Sequence, residues 1–198
     1  WRFKSLDARH NTTIARVTPL ENPAVNGPWI CNKGRDLARI FERPRATQAM
    51  LKGRPASLED VLAAARRLIA QARKPVALIS SWGSSEELAV FKSTLGSAFT
   101  CLVKEDMRPV EGERIEDDLL IRADKNPNTA RARELFGEAA ASLPADADLV
   151  LVWGEGFDFN SLPRGAAVIF LNAFLQPENG FADAFLPVSL QTERSGSY

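Results

Sequence analysis

Cys31 lies in the run WICNKGR, against the polar and basic turn Asn32-Lys33-Gly34-Arg35. A thiolate in a positively charged setting suits a metal or cluster ligand. An ordinary small residue in a turn fits the same stretch, and the residues alone leave both readings open. The other cysteine, Cys101, sits in FTCLV, where a free thiol packs as a small hydrophobe. His10 is the single histidine. One histidine and two distant cysteines do not make a conventional zinc site. A histidine-dependent nucleophile would have to recruit His10 from the amino-terminal stretch, where nothing else points to catalysis.

Other polar residues gather in loops. SSWGSSEE offers Ser80, Ser81, Ser84 and Ser85 with backbone N–H groups at a predicted helix start, which is the chemistry of an anion site. The G-x-G-x-x-G spacing of a dinucleotide fingerprint is missing, and a serine-capped helix explains the run equally well. ADKNPN sets Asp124, Asn126 and Asn128 around a proline; local turn bonds account for it, and Asn128 is placed to cap the next helix. WGEGFDFN brings Glu155 close to Asp158, either a carboxylate pair for metal or proton transfer or two solvated loop acids. Asn172 opens a further polar loop, 172–179.

These loops need elements to hold them. SLEDVLAAARRLIAQARK has apolar residues at helical spacing behind Ser57 as N-cap. Pro75 then starts the buried strand VALIS. Ser84 and Glu87 form a capping box for a second helix, and Gly96 stands where a helix end takes a left-handed residue. FTCLV is the next strand, KEDMRPVEGERIEDD a loop, and LLIRADKNPNTARARELFG a short strand, a turn and a helix ending at Gly137. ADLVLVW, AAVIFLNAF and ADAFLPV complete the strands. Alternating helices and apolar strands predict an α/β domain over 57–198, a mostly parallel doubly wound sheet with helices on both faces. Ligands of such sheets bind beyond the carboxyl ends of the strands, where the four loops above lie. Residues 1–35 read as a small β-hairpin unit, with strand-forming Thr13, Ile14, Val17 and Thr18 and turn chemistry in ENPAVNGP. Residues 36–56 read as a basic connector, a solvated surface crossing or a docking strip for an acidic partner.

The chain has 198 residues with 25 basic and 25 acidic side chains, so its overall charge gives no reason to expect nucleic acid or an anionic membrane as partner. No apolar run approaches the roughly 18 residues of a membrane span, and the start WRFKSLDARH has no signal-peptide core. Sparse cysteine favours a reducing compartment. The chain reads as a piece of a longer polypeptide.

The ordered motifs carry a resemblance. NTTIARVTPLENPAVNGPWICNKGR resembles the amino-terminal iron–sulfur segment of the molybdopterin oxidoreductase superfamily, whose pattern is C-x2-C-x3-C-N, a short hairpin, an R-P-x-x-N-P-x-V-N turn and C-x-K-G-R. LLIRADKNPNTARARELFG is similar to its N-P-N segment. VIFLNAFLQPENGFADAFLPVSLQTERSGSY is similar to its strand, acid-containing loop, A-D-x-x-L-P and x-E-x-x-G-(S/T) run. Within the superfamily the likeness is greatest to the large iron–sulfur subunit of NADH-quinone oxidoreductase (complex I), in a shortened form. The resemblance implies an abbreviated molybdopterin-oxidoreductase fold in an electron-transfer complex, with other subunits of an NADH dehydrogenase as partners. It also implies a cytoplasmic place, peripheral at the inner face of the cell membrane.

Departures from the pattern set the cofactor expectation. With His10-Asn11-Thr12-Thr13 laid on the family's C-N-T-T, the first three cluster positions hold Phe3, Leu6 and His10, and Cys31 matches the last. Phe and Leu cannot ligate iron, and a [4Fe–4S] cluster is held by thiolates. Gln176-Pro177-Glu178-Asn179-Gly180 stands in place of the family's Thr-Glu-Thr-Ala pterin loop. The expectation is therefore a non-catalytic, structural domain with no cofactor of its own. Cys31 is then a vestigial ligand, and Ser80, Ser81, Ser84, Ser85, Asp124, Asn126, Asn128 and Asn172 line a vestigial cleft. The alternatives are a cofactor-binding fragment of a formate dehydrogenase-like enzyme, and a stand-alone nucleotide- or anion-binding module.

Overall fold

The computed structural model describes residues 17–24, 27–30, 32–36, 39, 42–104, 116–118, 123–138 and 142–198. Phe3, Leu6, His10, Cys31 and the short strand expected just before Ala123 lie outside the described residues, as does most of the acidic loop. The chain divides into two compact units, Trp1–Arg45 and Ala46–Tyr198.

In the first unit, Asn22 and Gly27 exchange backbone hydrogen bonds of 3.1 and 2.8 Å, closing the expected turn around Pro23. Gly27 takes φ +51°, and the Asn22 side chain accepts from the Ala24 N–H at 3.1 Å. Of the expected strand through Thr13, Ile14, Val17 and Thr18, the first two lie outside the described residues, and Val17 and Thr18 are not in a strand. Helix α1 (Asn32–Arg35) follows position 31 directly.

The second unit is an α/β layer structure. Its strands are β1 (Met50–Leu51), β2 (Arg54–Pro55), β3 (Pro75–Ser80), β4 (Thr100–Lys104), β5 (Leu149–Trp153), β6 (Ala167–Asn172) and β7 (Ala184–Pro187). They form one seven-stranded sheet in the order β2-β1-β7-β6-β5-β3-β4. From β7 to β4 all pairings are parallel, and β1 adds antiparallel to β7. The β1–β2 hairpin turns through Lys52 (φ +48°) and Gly53 (φ +73°), the paired left-handed geometry that suits strand twist. This hairpin lies inside the stretch read from sequence as a connector.

Helix α2 (Leu58–Gln71) begins at Ser57, whose hydroxyl oxygen accepts from the Asp60 N–H at 3.1 Å. The Asp60 carboxylate reaches only the Ser57 hydroxyl, 2.6 Å away, so the reciprocal half of a capping box is missing. Helix α3 (Ser85–Thr94) has both halves. Helix α4 (Thr129–Phe136) stops at Gly137, φ +87°.

Alternate residues along each strand feed two cores. Ala77 and Ile79 of β3, Leu149 and Leu151 of β5 and Ile169 of β6 join Val61 and Ala65 of α2, Leu88 of α3 and Ala132 of α4. Val76, Leu78, Val150, Val152, Val168, Phe170 and Phe185 form the other core, covered by Ala46, Phe157, Phe159 and Leu162. Among the described residues, then, α2, α3 and α4 all pack on one sheet face, and irregular chain covers the opposite one. The sequence expectation of helices on both faces is corrected here. The β5–β6 and β6–β7 connections hold only the short 3-10 turns Phe159–Ser161 and Pro177–Gly180, and Phe159 stacks edge-on to Phe170 at 5.0 Å where a helix would lie. Cys101 is half-buried, and that burial pushes its thiol pKa up against the opposing charge of Lys92.

Candidate functional site

The strand order reverses at β3: the chain goes first to β4 on one side and then returns to β5, β6 and β7 on the other. The carboxyl ends of β3 and β5 therefore flank a topological switch point, where parallel sheets bind ligands. The buried polar side chains concentrate at this end of the sheet. Ser80, Ser81, Ser84, Lys104, Asn128, Thr129 and Asn172 are each under 9% exposed.

The β3–α3 loop sits at the centre. The Trp82 N–H donates to Ser80 Oγ at 3.1 Å, folding the loop back on its strand. Ser81 Oγ donates to the Lys104 carbonyl at 3.3 Å, and the Ser81 carbonyl accepts from the Asn128 N–H at 3.0 Å. The Asn128 amide Nδ2 donates to the Gly83 carbonyl (3.0 Å) and lies 3.3 Å from Ser85 Oγ. Trp82 Nε1 donates to Asn126 Oδ1 at 3.1 Å. Gly83 is needed for space, because a Cβ there would lie 2.9 Å from the Trp153 ring. That ring is held by stacking on Phe91 at 5.9 Å.

Six of the candidates read from sequence thus come together: Ser80, Ser81, Ser84, Ser85, Asn126 and Asn128. Asp124 is attached to them only locally, accepting from Asn126 N and Nδ2 at 2.9 Å each. Asn172 ends β6 and bonds within its own loop, donating to the Phe174 carbonyl (3.2 Å) and accepting from the Ala173 N–H (2.8 Å). Asn128 does not cap α4 with its side chain, contrary to the sequence reading, because its amide is spent on the β3–α3 loop. Asp158 caps the 3-10 turn that follows it, accepting from the Asn160 N–H at 2.9 Å. Glu155 contributes its backbone carbonyl, which accepts from the Lys104 ammonium. Because β3 lies between β4 and β5, the buried Lys104 side chain spans the carboxyl end of β3.

The helix start that could receive an anion is filled by the chain itself. The Ser84 N–H donates to Glu87 Oε2 (2.8 Å), and the Glu87 N–H donates to Ser84 Oγ (3.2 Å). The Ser85 N–H donates to the Ser197 carbonyl at 2.8 Å. The Glu86 carboxylate accepts from Ser197 N (2.9 Å) and Ser197 Oγ (2.8 Å). The Ser197 N–H is the leading cause of the Glu86 pKa, lowered from 4.5 to about 2. Arg194 fixes the incoming segment by donating to the Trp82 carbonyl (2.8 Å) and the Ser189 carbonyl (3.2 Å), and by pairing with Glu87 at 3.1 Å.

Lys104, Arg194, Gly196 and Ser197 are members of this cluster that residue chemistry and loop position did not single out; Trp82 and Gly83 lie within the SSWGSSEE loop but were given no role. For Arg194, Gly196 and Ser197 the trace in the sequence is the E-x-x-G-S run, Glu193 to Ser197. Neither implied group fits the residues present. Phe3 and Leu6 supply no donor for an iron–sulfur cluster, and the donors at the α3 start already serve Ser84, Glu87 and Ser197. Among the described residues no group of three or more His, Cys, Asp or Glu is placed to hold a metal, and no helix is long and apolar enough to cross a membrane. No family model matches the chain, and no curated protein matches it.

Proposed function

We propose that this chain is a non-catalytic structural domain of a protein akin to the large iron–sulfur subunit of NADH-quinone oxidoreductase, with degenerate [4Fe–4S] and molybdopterin sites. Its place is peripheral, on the cytoplasmic redox arm among the complex's other subunits. One observation carries the cofactor-free part of this reading: at the switch point the α3 N-terminal donors are satisfied by the chain's own Ser84, Glu87 and Ser197. A ligand phosphate would have to displace these groups to reach the helix dipole. The motif resemblance supports the family part.

Elemental analysis of the purified chain tests the first part. Neither iron nor molybdenum is expected in stoichiometric amount. Stoichiometric molybdenum overturns the reading, and about four iron atoms per chain overturns the loss of the cluster. Affinity purification of the tagged full-length protein from its own host tests the second part. NADH dehydrogenase activity should co-purify with it, and its absence removes the chain from such a complex.

A further inference from the structure

The segment 194–198 is joined to the sheet in an unusual way. Its contacts with the β3–α3 loop and the first turn of α3 are polar: the Arg194 guanidinium on Glu87 and the Trp82 carbonyl, the Ser197 carbonyl on the Ser85 N–H, and Ser197 N and Oγ on the Glu86 carboxylate. The fit at Gly196 is close. A Cβ there would lie 2.4 Å from Ser84 Cβ and 2.7 Å from Ser84 Oγ. Yet residues 195–198 are exposed, and neither buried core draws a side chain from 193–198. Attachment through directed polar bonds, with the Arg194 side chain (15% exposed) as the one largely covered group, belongs to the lower end of local stability.

We infer that residues 194–198 form a releasable latch on the switch-point loop, opening and closing independently of the sheet. When docked, the latch supplies the acceptor for the Ser85 N–H and ties the Trp82 carbonyl to Arg194. Trp82 in turn holds Asn126 through its indole N–H, so the latch also bears on the turn that starts α4. When released, it returns the Ser85 N–H and the Glu86 carboxylate to water while the Ser84–Glu87 capping box stays closed. The latch is a property of this chain's own contacts and does not depend on the family reading. It shares with the cofactor-free reading the docked Ser197 carbonyl on the Ser85 N–H, but its test reads amide exchange and the other reads metal content, so the failure of one is distinguishable from the failure of the other.

Residue-resolved amide exchange on the intact chain tests it. In the unaltered protein the Ser85 amide should be protected, yet exchange faster than the Val150 amide in the centre of the sheet. Gly196→Val puts a branched side chain against Ser84 and should speed Ser85 exchange by about tenfold or more, with the Glu87 amide unchanged. Ser197→Pro removes the N–H and hydroxyl that hold Glu86, and should act in the same direction if Gly196→Val folds poorly. The inference is overturned if Ser85 is unprotected from the outset or exchanges only with the core. Retained protection in both variants overturns it, and so does global unfolding of both, because a latch is separable from the fold it closes.

Discussion

Asn128 holds the N-cap position of α4 but works elsewhere. It is 5% exposed, and its Nδ2 reaches a carbonyl 45 positions away, at Gly83. Asn128→Ala should therefore cost about 1–3 kcal/mol, the range for leaving a buried polar group without its partner. Asn128→Asp should cost more, because an acceptor would then face the Gly83 carbonyl. Urea denaturation of both variants measures the order, and an Ala variant with unaltered midpoint would contradict the role assigned. Glu86 gives a second residue-scale expectation. Hydrogen bonds from Ser197 N, from its own N–H and from Ser197 Oγ hold its pKa at about 2 against an ordinary 4.5. The folded value lies below the unfolded one. Its contribution is thus fully present above about pH 4.5 and is lost as pH falls through about 2. A carboxyl-carbon NMR titration should show that low midpoint, and Ser197→Pro should move it back toward 4.5; equal midpoints would remove Ser197 as the cause. These two residues also show where a sequence is legible. Ser84 and Glu87 bond across three positions, and their pairing follows from the residue types alone. Asn128 with Gly83, and Glu86 with Ser197, meet only because the sheet brings distant segments to one end.

At the scale of elements, local chemistry predicted α2, α3, α4, β3, β5, β6 and β7 in place, since each combines an apolar period with a terminating or capping residue. β1 and β2 were not legible, because two-residue strands carry no period to detect. Gly96 was legible in position but not in reason. It has no positive φ, and its role is close approach, since a Cβ there would lie 2.5 Å from the Lys92 carbonyl. The grouping of helices on one face was also hidden, because a strand buried on both sides reads the same whether helix or loop covers it. The capping box of α3 supports a prediction at this scale. Ser84 is fully buried, so Ser84→Ala removes the acceptor for the Glu87 N–H and should destabilise by about 1 kcal/mol. Thermal or urea unfolding checks this. A neutral effect would mean that water replaces the cap despite the burial.

At the scale of the whole molecule, the division between Arg45 and Ala46 has an energetic consequence. Among the described residues all seven strands lie in 46–198, and both apolar clusters draw on residues of that span. Ala46 itself is 2% exposed and donates its N–H to the Ala173 carbonyl at 2.9 Å, so the sheet-bearing unit begins at that residue and not later. Burial of apolar area is the main favourable term in folding, and the two described clusters supply it to 46–198. Residues 46–198 expressed alone should therefore unfold in one cooperative transition, with the native far-ultraviolet spectrum of an α/β domain. Starting the fragment at residue 57, the boundary suggested by the sequence, removes β1 and β2 and the buried Ala46 and Ala49. That fragment should be less stable than 46–198, because β7 loses its antiparallel neighbour and presents an open edge. Urea midpoints of the two fragments decide the matter. If 57–198 matches 46–198, the hairpin is an ornament on the sheet, and the unit that folds is the one the sequence pattern outlined.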